Sequence, residues 1–155
     1  MLTFRAGVVA AAAFFMLSSA PLHAEDQSAV TTTPAEPQAY ENLLHVLLQS
    51  STTILGETIV YPTAPAKITA AIVTIPPGGE TGWHKHGVPL VAYILDGALT
   101  VDYGDQGTKV YEAGNAVVEA LGVAHNGSNR GDVPMRLLAV YMGAEGMANT
   151  EAVEH

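Results

Sequence analysis

Gly78-Gly79-Glu80-Thr81-Gly82-Trp83-His84-Lys85-His86 is the stretch on which the reading of this chain turns. It follows a run of β-branched and small residues, Lys67 to Ile75, which Pro76 and Pro77 bring to a stop. Proline has no N–H to give to a ladder, so the strand ends there. His84 and His86 are two residues apart. On an extended strand, residues i and i+2 share a face, roughly 6–7 Å apart. Two imidazoles so placed can share one ion at nitrogen distances near ~2.1 Å. On a helix the same spacing would send them to different sides. A second patterned stretch, Gly122-Val123-Ala124-His125-Asn126-Gly127-Ser128-Asn129, carries a third histidine. His84, His86 and His125 are expected to meet in the mouth of a small β-barrel and to hold one metal ion. His45 lacks ligand spacing and reads as a surface or rim residue.

Working outward, strand signals fall at about 43–55, 58–61, 67–75, 81–86, 90–95, 98–103, 108–112, 116–121 and 135–142. Residues 43–48 also fit a helical stripe, but the β-formers that follow favour a strand. Asp96-Gly97 is a hairpin signal, and Gly104–Gly107 and Ala113–Asn115 are further turns. Many short strands with no helix between them predict an all-β sandwich or closed barrel. The last residues, 143–155, are small and acidic and are expected to fray.

The chain has 155 residues, enough for one domain. Six Lys plus Arg against fifteen Asp plus Glu give a net charge of −9. That balance repels phosphate backbones, so nucleic acid is not an expected partner. There is no cysteine, which excludes disulfides, thiolate metal sites and a cysteine nucleophile. No Ser-His-Asp arrangement, phosphate loop or dinucleotide fingerprint appears.

Arg5, the apolar run Ala6 to Leu17, and small residues up to Ala24 have the pattern of a secretory signal peptide, residues 1–24. The run is shorter than the roughly 20 residues an anchor needs, so no stable membrane anchor is expected after cleavage. The protein is expected to be exported, to a bacterial periplasm. Residues 25–40 read as a flexible lead-in, 41–143 as the barrel and 144–155 as a C-terminal tail.

The two histidine stretches resemble the cupin motifs. The first cupin motif reads G-x5-H-x-H-x3,4-E-x6-G. Gly78, His84, His86 and Gly97 fall in register, with Leu90 where the Glu should stand. The second reads G-x5-P-x-G-x2-H-x3-N. Gly114, Gly122, His125 and Asn129 match it, with Ala120 in place of the Pro. The resemblance implies a single-domain jelly-roll barrel and a homodimer. It also implies that His84, His86 and His125 are ligands of a divalent transition metal (Zn, Fe, Cu, Ni or Mn). The family's carboxylate ligand has no counterpart at Leu90. A three-histidine site with open positions is one reading. A substitute carboxylate from Glu119, directly or through water, is a second. A metal-free ligand pocket is a third. Without an anionic ligand, hard ions such as Mn²⁺ should bind less well than Zn²⁺ or Cu²⁺, and the extra positive charge should favour an anionic substrate or hydroxide. The implied function is a metal-dependent enzyme on a small polar molecule, such as a dioxygenase, isomerase or lyase; a small-ligand or metal binder without turnover is the alternative.

Other residues receive plainer readings. Trp83 and Lys85 alternate with the histidines and should face outward. Tyr93 and Tyr141 read as strand packing. Asn129 reads as a loop stabiliser, and Asp102 and Glu112 as solvated strand faces. Leu90, Ala92 and Ile94 are expected to line the site if they point inward.

Overall fold

Alternation of apolar and polar residues builds the strands, and the computed structural model shows nine of them among its described residues, Pro37 and 39–154. The expected signal peptide lies outside the described residues, as does most of the lead-in. No helix among the described residues is long and apolar enough to cross a membrane. From Tyr40 onward the chain is one compact unit.

The strands are β1 (Ala66–Ile75), β2 (His84–Lys85), β3 (Leu90–Asp96), β4 (Ala98–Asp102), β5 (Thr108–Glu112), β6 (Ala116–Val118), β7 (Asn126–Ser128), β8 (Met135–Ala144) and β9 (Glu151–Ala152). One sheet has the order β1-β8-β3-β6, a second β5-β4-β7, and β2 pairs with β9 in a short ribbon. All pairings are antiparallel. The longest, β1 with β8, runs from Ala66↔Ala144 to Ile75↔Met135.

The core lies between the two larger sheets. Ile75, Leu90, Ala92, Ile94, Met135 and Leu137 enter it from one side and Leu99, Val101 and Tyr111 from the other. In β3 the alternation is strict: Leu90, Ala92 and Ile94 are buried while Val91, Tyr93 and Leu95 are half-buried. Burying each large apolar side chain contributes about 1.5–3 kcal/mol. The fold is therefore all-β and built as facing sheets, as a jelly roll is. Its ladders remain open and do not close into a continuous barrel.

Four local expectations are corrected. The strand expected over 43–55 is absent: Tyr40–Leu43 makes a 3-10 turn and 44–50 has no regular structure. Leu44 is 53% and Val46 67% exposed; strand propensity counts only where a partner strand is at hand. The segment at 58–61 reduces to one bridge, Thr52↔Thr58. Asp96-Gly97 is a change of sheet, since β3 pairs with β8 and β6 but β4 with β5 and β7. Gly97 has φ of 71°, and a Cβ there would sit 3.0 Å from Met135 Cβ. The Asp-Gly pair signals positive φ, which a sheet switch can use as well as a hairpin. Last, the acidic tail does not fray. Its β9 pairs with the histidine strand β2, with His84 opposite Ala152 and Lys85 opposite Glu151.

Candidate metal centre

The three histidines come together as their spacing predicts. His84 lies on β2, His86 just beyond it, and His125 just before β7. His84 and His125 are locked face to face by reciprocal backbone bonds, N–H of His84 to the carbonyl of His125 at 2.9 Å and the reverse at 2.8 Å. The N–H of His86 donates to the Leu121 carbonyl at 3.1 Å. Ring centroids stand 4.5 Å apart for His84 and His125, 5.0 Å for His84 and His86, and 5.1 Å for His86 and His125. Their ligand atoms all lie within 4.8 Å of one another.

Each ring is oriented by a backbone carbonyl. The Nδ1 atoms lie 2.7 Å from Gly82 O for His84, 3.0 Å from Asn149 O for His86 and 2.9 Å from Val123 O for His125. A carbonyl can only accept, so each Nδ1 carries the proton and each Nε2 is left with its lone pair. This is the tautomer that metal-binding histidines adopt when a neighbour takes the other N–H. Gly82 has φ of 75°, a backbone setting that aims its carbonyl at the ring and favours glycine.

Burial favours the neutral form of His84 and His86. It pushes His84 below its ordinary value against the opposing Gly82 carbonyl bond, and the charge of His125 adds to the fall. Burial pushes His86 down to about 4. The fit to a metal rests on one atom above all. His125 is 2% exposed, and its Nε2 is buried without a hydrogen-bond partner among the described residues. Such an orphan costs about 1–3 kcal/mol, which an ion on that lone pair would relieve. A neutral three-imidazole set suits Zn, Cu, Fe or Ni.

The site opens on a cavity of about 70 Å³. Leu90 and Ala92 line it, as expected, but Ile94 is wholly core. Tyr141, read as packing alone, also lines it and meets the His86 ring edge-on at 5.7 Å. Glu119 lines the same cavity and is 5% exposed. Its N–H donates to the Leu90 carbonyl at 2.9 Å, so it stands beside the position where the cupin motif has its Glu. It does not join the converging ligand atoms. Its Oε1 accepts the Tyr103 hydroxyl at 2.6 Å and the Ala120 N–H at 2.8 Å. Since Tyr103 spends its proton on Glu119, Tyr111 is the donor across the 3.0 Å contact between the two hydroxyls. Burial and the Glu119 charge hold Tyr103 far above the usual tyrosine range, and burial pushes Tyr111 up to about 12.

Two supporting residues escaped the sequence reading. Glu57 accepts the N–H groups of Leu121 and Gly122 at 2.8 and 2.9 Å, pinning the loop that leads to His125. Burial pushes its carboxyl up, but those two bonds and Thr53 outweigh it and hold it below the ordinary value. Asn149 fixes His86 through its carbonyl alone, which no side-chain pattern announces. Of the remaining candidates, Asn129 ties the loop to Ile75 O and Val133 O, and Lys85 pairs with Glu151 at 3.2 Å. Trp83 is half-buried and flanks an outer groove beside His84. Tyr93 is half-buried, Asp102 accepts the Gly104 N–H, and Glu112 is exposed. His45 is exposed and takes no part.

The family profile described as Cupin domain matches residues 71–141. The polyketide cyclase RemF from Streptomyces resistomycificus is 22% identical over 60% of this chain and 64% of that chain, with a TM-score of 0.50. An oxalate decarboxylase from Lactobacillus farciminis, solved as a formate complex, is 27% identical over 56% of this chain and 26% of that chain, TM-score 0.49. A predicted oxalate decarboxylase from Thermotoga maritima is 30% identical over 47% and 64%, TM-score 0.43. The chain thus spans less than two thirds of each. At this level the cyclase shows the fold alone. No curated protein matches the chain.

Proposed function

The chain carries a cupin domain, and from the histidine triad it presents we propose that it is a metalloprotein in which His84, His86 and His125 hold one divalent transition ion beside a small-molecule cavity. The observation that carries this is the buried, unpartnered Nε2 of His125 among imidazoles whose Nδ1 atoms are all committed to carbonyls. Bound there, the ion would supply Lewis-acid chemistry, or oxygen chemistry if iron or copper. The protein's own residues do the rest. The triad presents neutral donors, the apolar walls exclude water, and Tyr141 closes one side over His86. We propose that the bound molecule is turned over by a metal-dependent oxygenase, isomerase or lyase reaction. We further propose that the chain works as an exported homodimer after loss of residues 1–24.

The test is elemental analysis of residues 25–155, purified without chelators or a histidine tag, beside a His84→Ala/His86→Ala variant. About one equivalent of transition metal, lost in the variant, is expected. No metal in either protein, and none taken up on titration, overturns the proposal. Metal without turnover of any small hydroxylated or carboxylated compound would leave a binding protein.

A further inference from the structure

We infer that Glu119 contacts the ligand directly, selecting small molecules that present a hydroxyl donor and rejecting dicarboxylates. The inference rests on the metal reading above and names the ligand class of that same cavity.

Four observations carry it. Both hydrogen bonds to the Glu119 carboxylate end on Oε1; Oε2 accepts none among the described residues, and the residue is buried and lines the cavity. Oε2 is not one of the described atoms shut away from solvent without a partner, so it keeps an open accepting position that an occupant bringing an O–H can fill. The Tyr111–Tyr103 chain holds the carboxylate in place from behind, so it cannot swing away to suit a different ligand. No Lys or Arg lines the cavity. The nearest in sequence, Lys85, is engaged with Glu151 outside it, so nothing but the ion can neutralise an anion.

Charge then decides the class. A divalent ion on three neutral imidazoles brings +2, and Glu119 brings −1. The sum, +1, accepts one negative charge. A dianion would leave a net negative charge in an apolar cavity, which is strongly disfavoured. This lowers, from +2 to +1, the surplus positive charge expected from Leu90 alone. Volume narrows the class further. One water needs roughly 10–15 Å³ on this measure, so about 70 Å³ admits a ligand of only a few heavy atoms.

The test uses cobalt-loaded protein and two probes of similar size, glycolate and oxalate. Glycolate has one carboxylate and one hydroxyl; oxalate has two carboxylates. The readout is the absorption band of cobalt in the site, which shifts on ligand binding and disappears if cobalt is chelated away. The wild type is expected to bind glycolate at least about tenfold more tightly than oxalate, the weight of one charge-assisted hydrogen bond. Oxalate that removes cobalt without a shifted band counts as rejected. Glu119→Gln should bring the two probes within about threefold, because the amide removes the charge and can itself donate. Glu119→Asp, which keeps the charge but withdraws it, should weaken glycolate while oxalate stays rejected, and it serves if the Gln variant does not fold. Oxalate binding as tightly as glycolate in the wild type overturns the inference, and so does a preference unchanged in Glu119→Gln. In either case a full equivalent of cobalt leaves the metal reading standing. Failure of the wild type to take up cobalt overturns both.

Discussion

The two ends of the folded unit invert what their composition suggests. Residues 43–48 are rich in leucine and valine, yet they stay exposed and form no strand. Residues 145–154 are small, polar and acidic, yet they return to the site. There, β9 pairs with the histidine strand, and the Asn149 carbonyl takes the His86 N–H. The difference is the partner. The tail finds free backbone groups on β2 and a ring nitrogen in need of an acceptor, and the leucine segment finds neither. Backbone complementarity thus places the tail, and apolar content alone does not place the leading segment.

The contrast can be broken most forcefully by trimming. Ending the chain at Gly146 should weaken zinc binding about 10–100-fold, the usual effect of removing a partner that orients a ligand. Starting it at Ser50 should leave zinc affinity unchanged. Competition with a chromophoric chelator measures both, and equal effects of the two trims would erase the distinction.

A smaller effect sharpens the boundary of the leading segment. Glu57 follows the exposed leucines by only a few residues but anchors the His125 loop, so Glu57→Ala should cost about 1–3 kcal/mol in denaturant unfolding. Its carboxyl is held below its ordinary value in the folded state. Its contribution is therefore present above about pH 4.3 and is lost as pH falls through the folded value. Glu57→Gln should flatten the acid limb of stability against pH.

Weaker still is the Lys85–Glu151 pair. Both side chains are about half exposed, so a double-mutant cycle should return only about 0.2–1 kcal/mol, falling with salt. Last, Leu44→Ser and Leu47→Ser should change monomer stability by no more than about 0.5 kcal/mol, as for exposed positions without special contacts. A larger loss would mean that the segment is covered in the assembled protein.

Much of the site was legible because its chemistry is local. His84-x-His86 announces two ligands on one strand face, and the Gly-rich stretch around His125 announces the third. The core strands β1, β3, β4, β5 and β8 were legible from alternation and turn residues. What could not be read depends on pairings distant in sequence. Asp96-Gly97 looks the same whether the chain folds back or changes sheet, and only the partners of β3 and β4 decide. Asn149 acts through its carbonyl, which every residue has. Glu119 gave a half-signal: it was legible as a substitute carboxylate, but its place at the cavity depended on the pairing of its backbone with Leu90 on β3.

The central claim is that three imidazole nitrogens hold one ion. X-ray absorption at the zinc edge of the zinc-loaded protein tests it most directly. The account predicts three imidazole ligands at about 2.0–2.1 Å, falling to two in His125→Ala. Two or fewer in the wild type, or a pattern unchanged in His125→Ala, would contradict it.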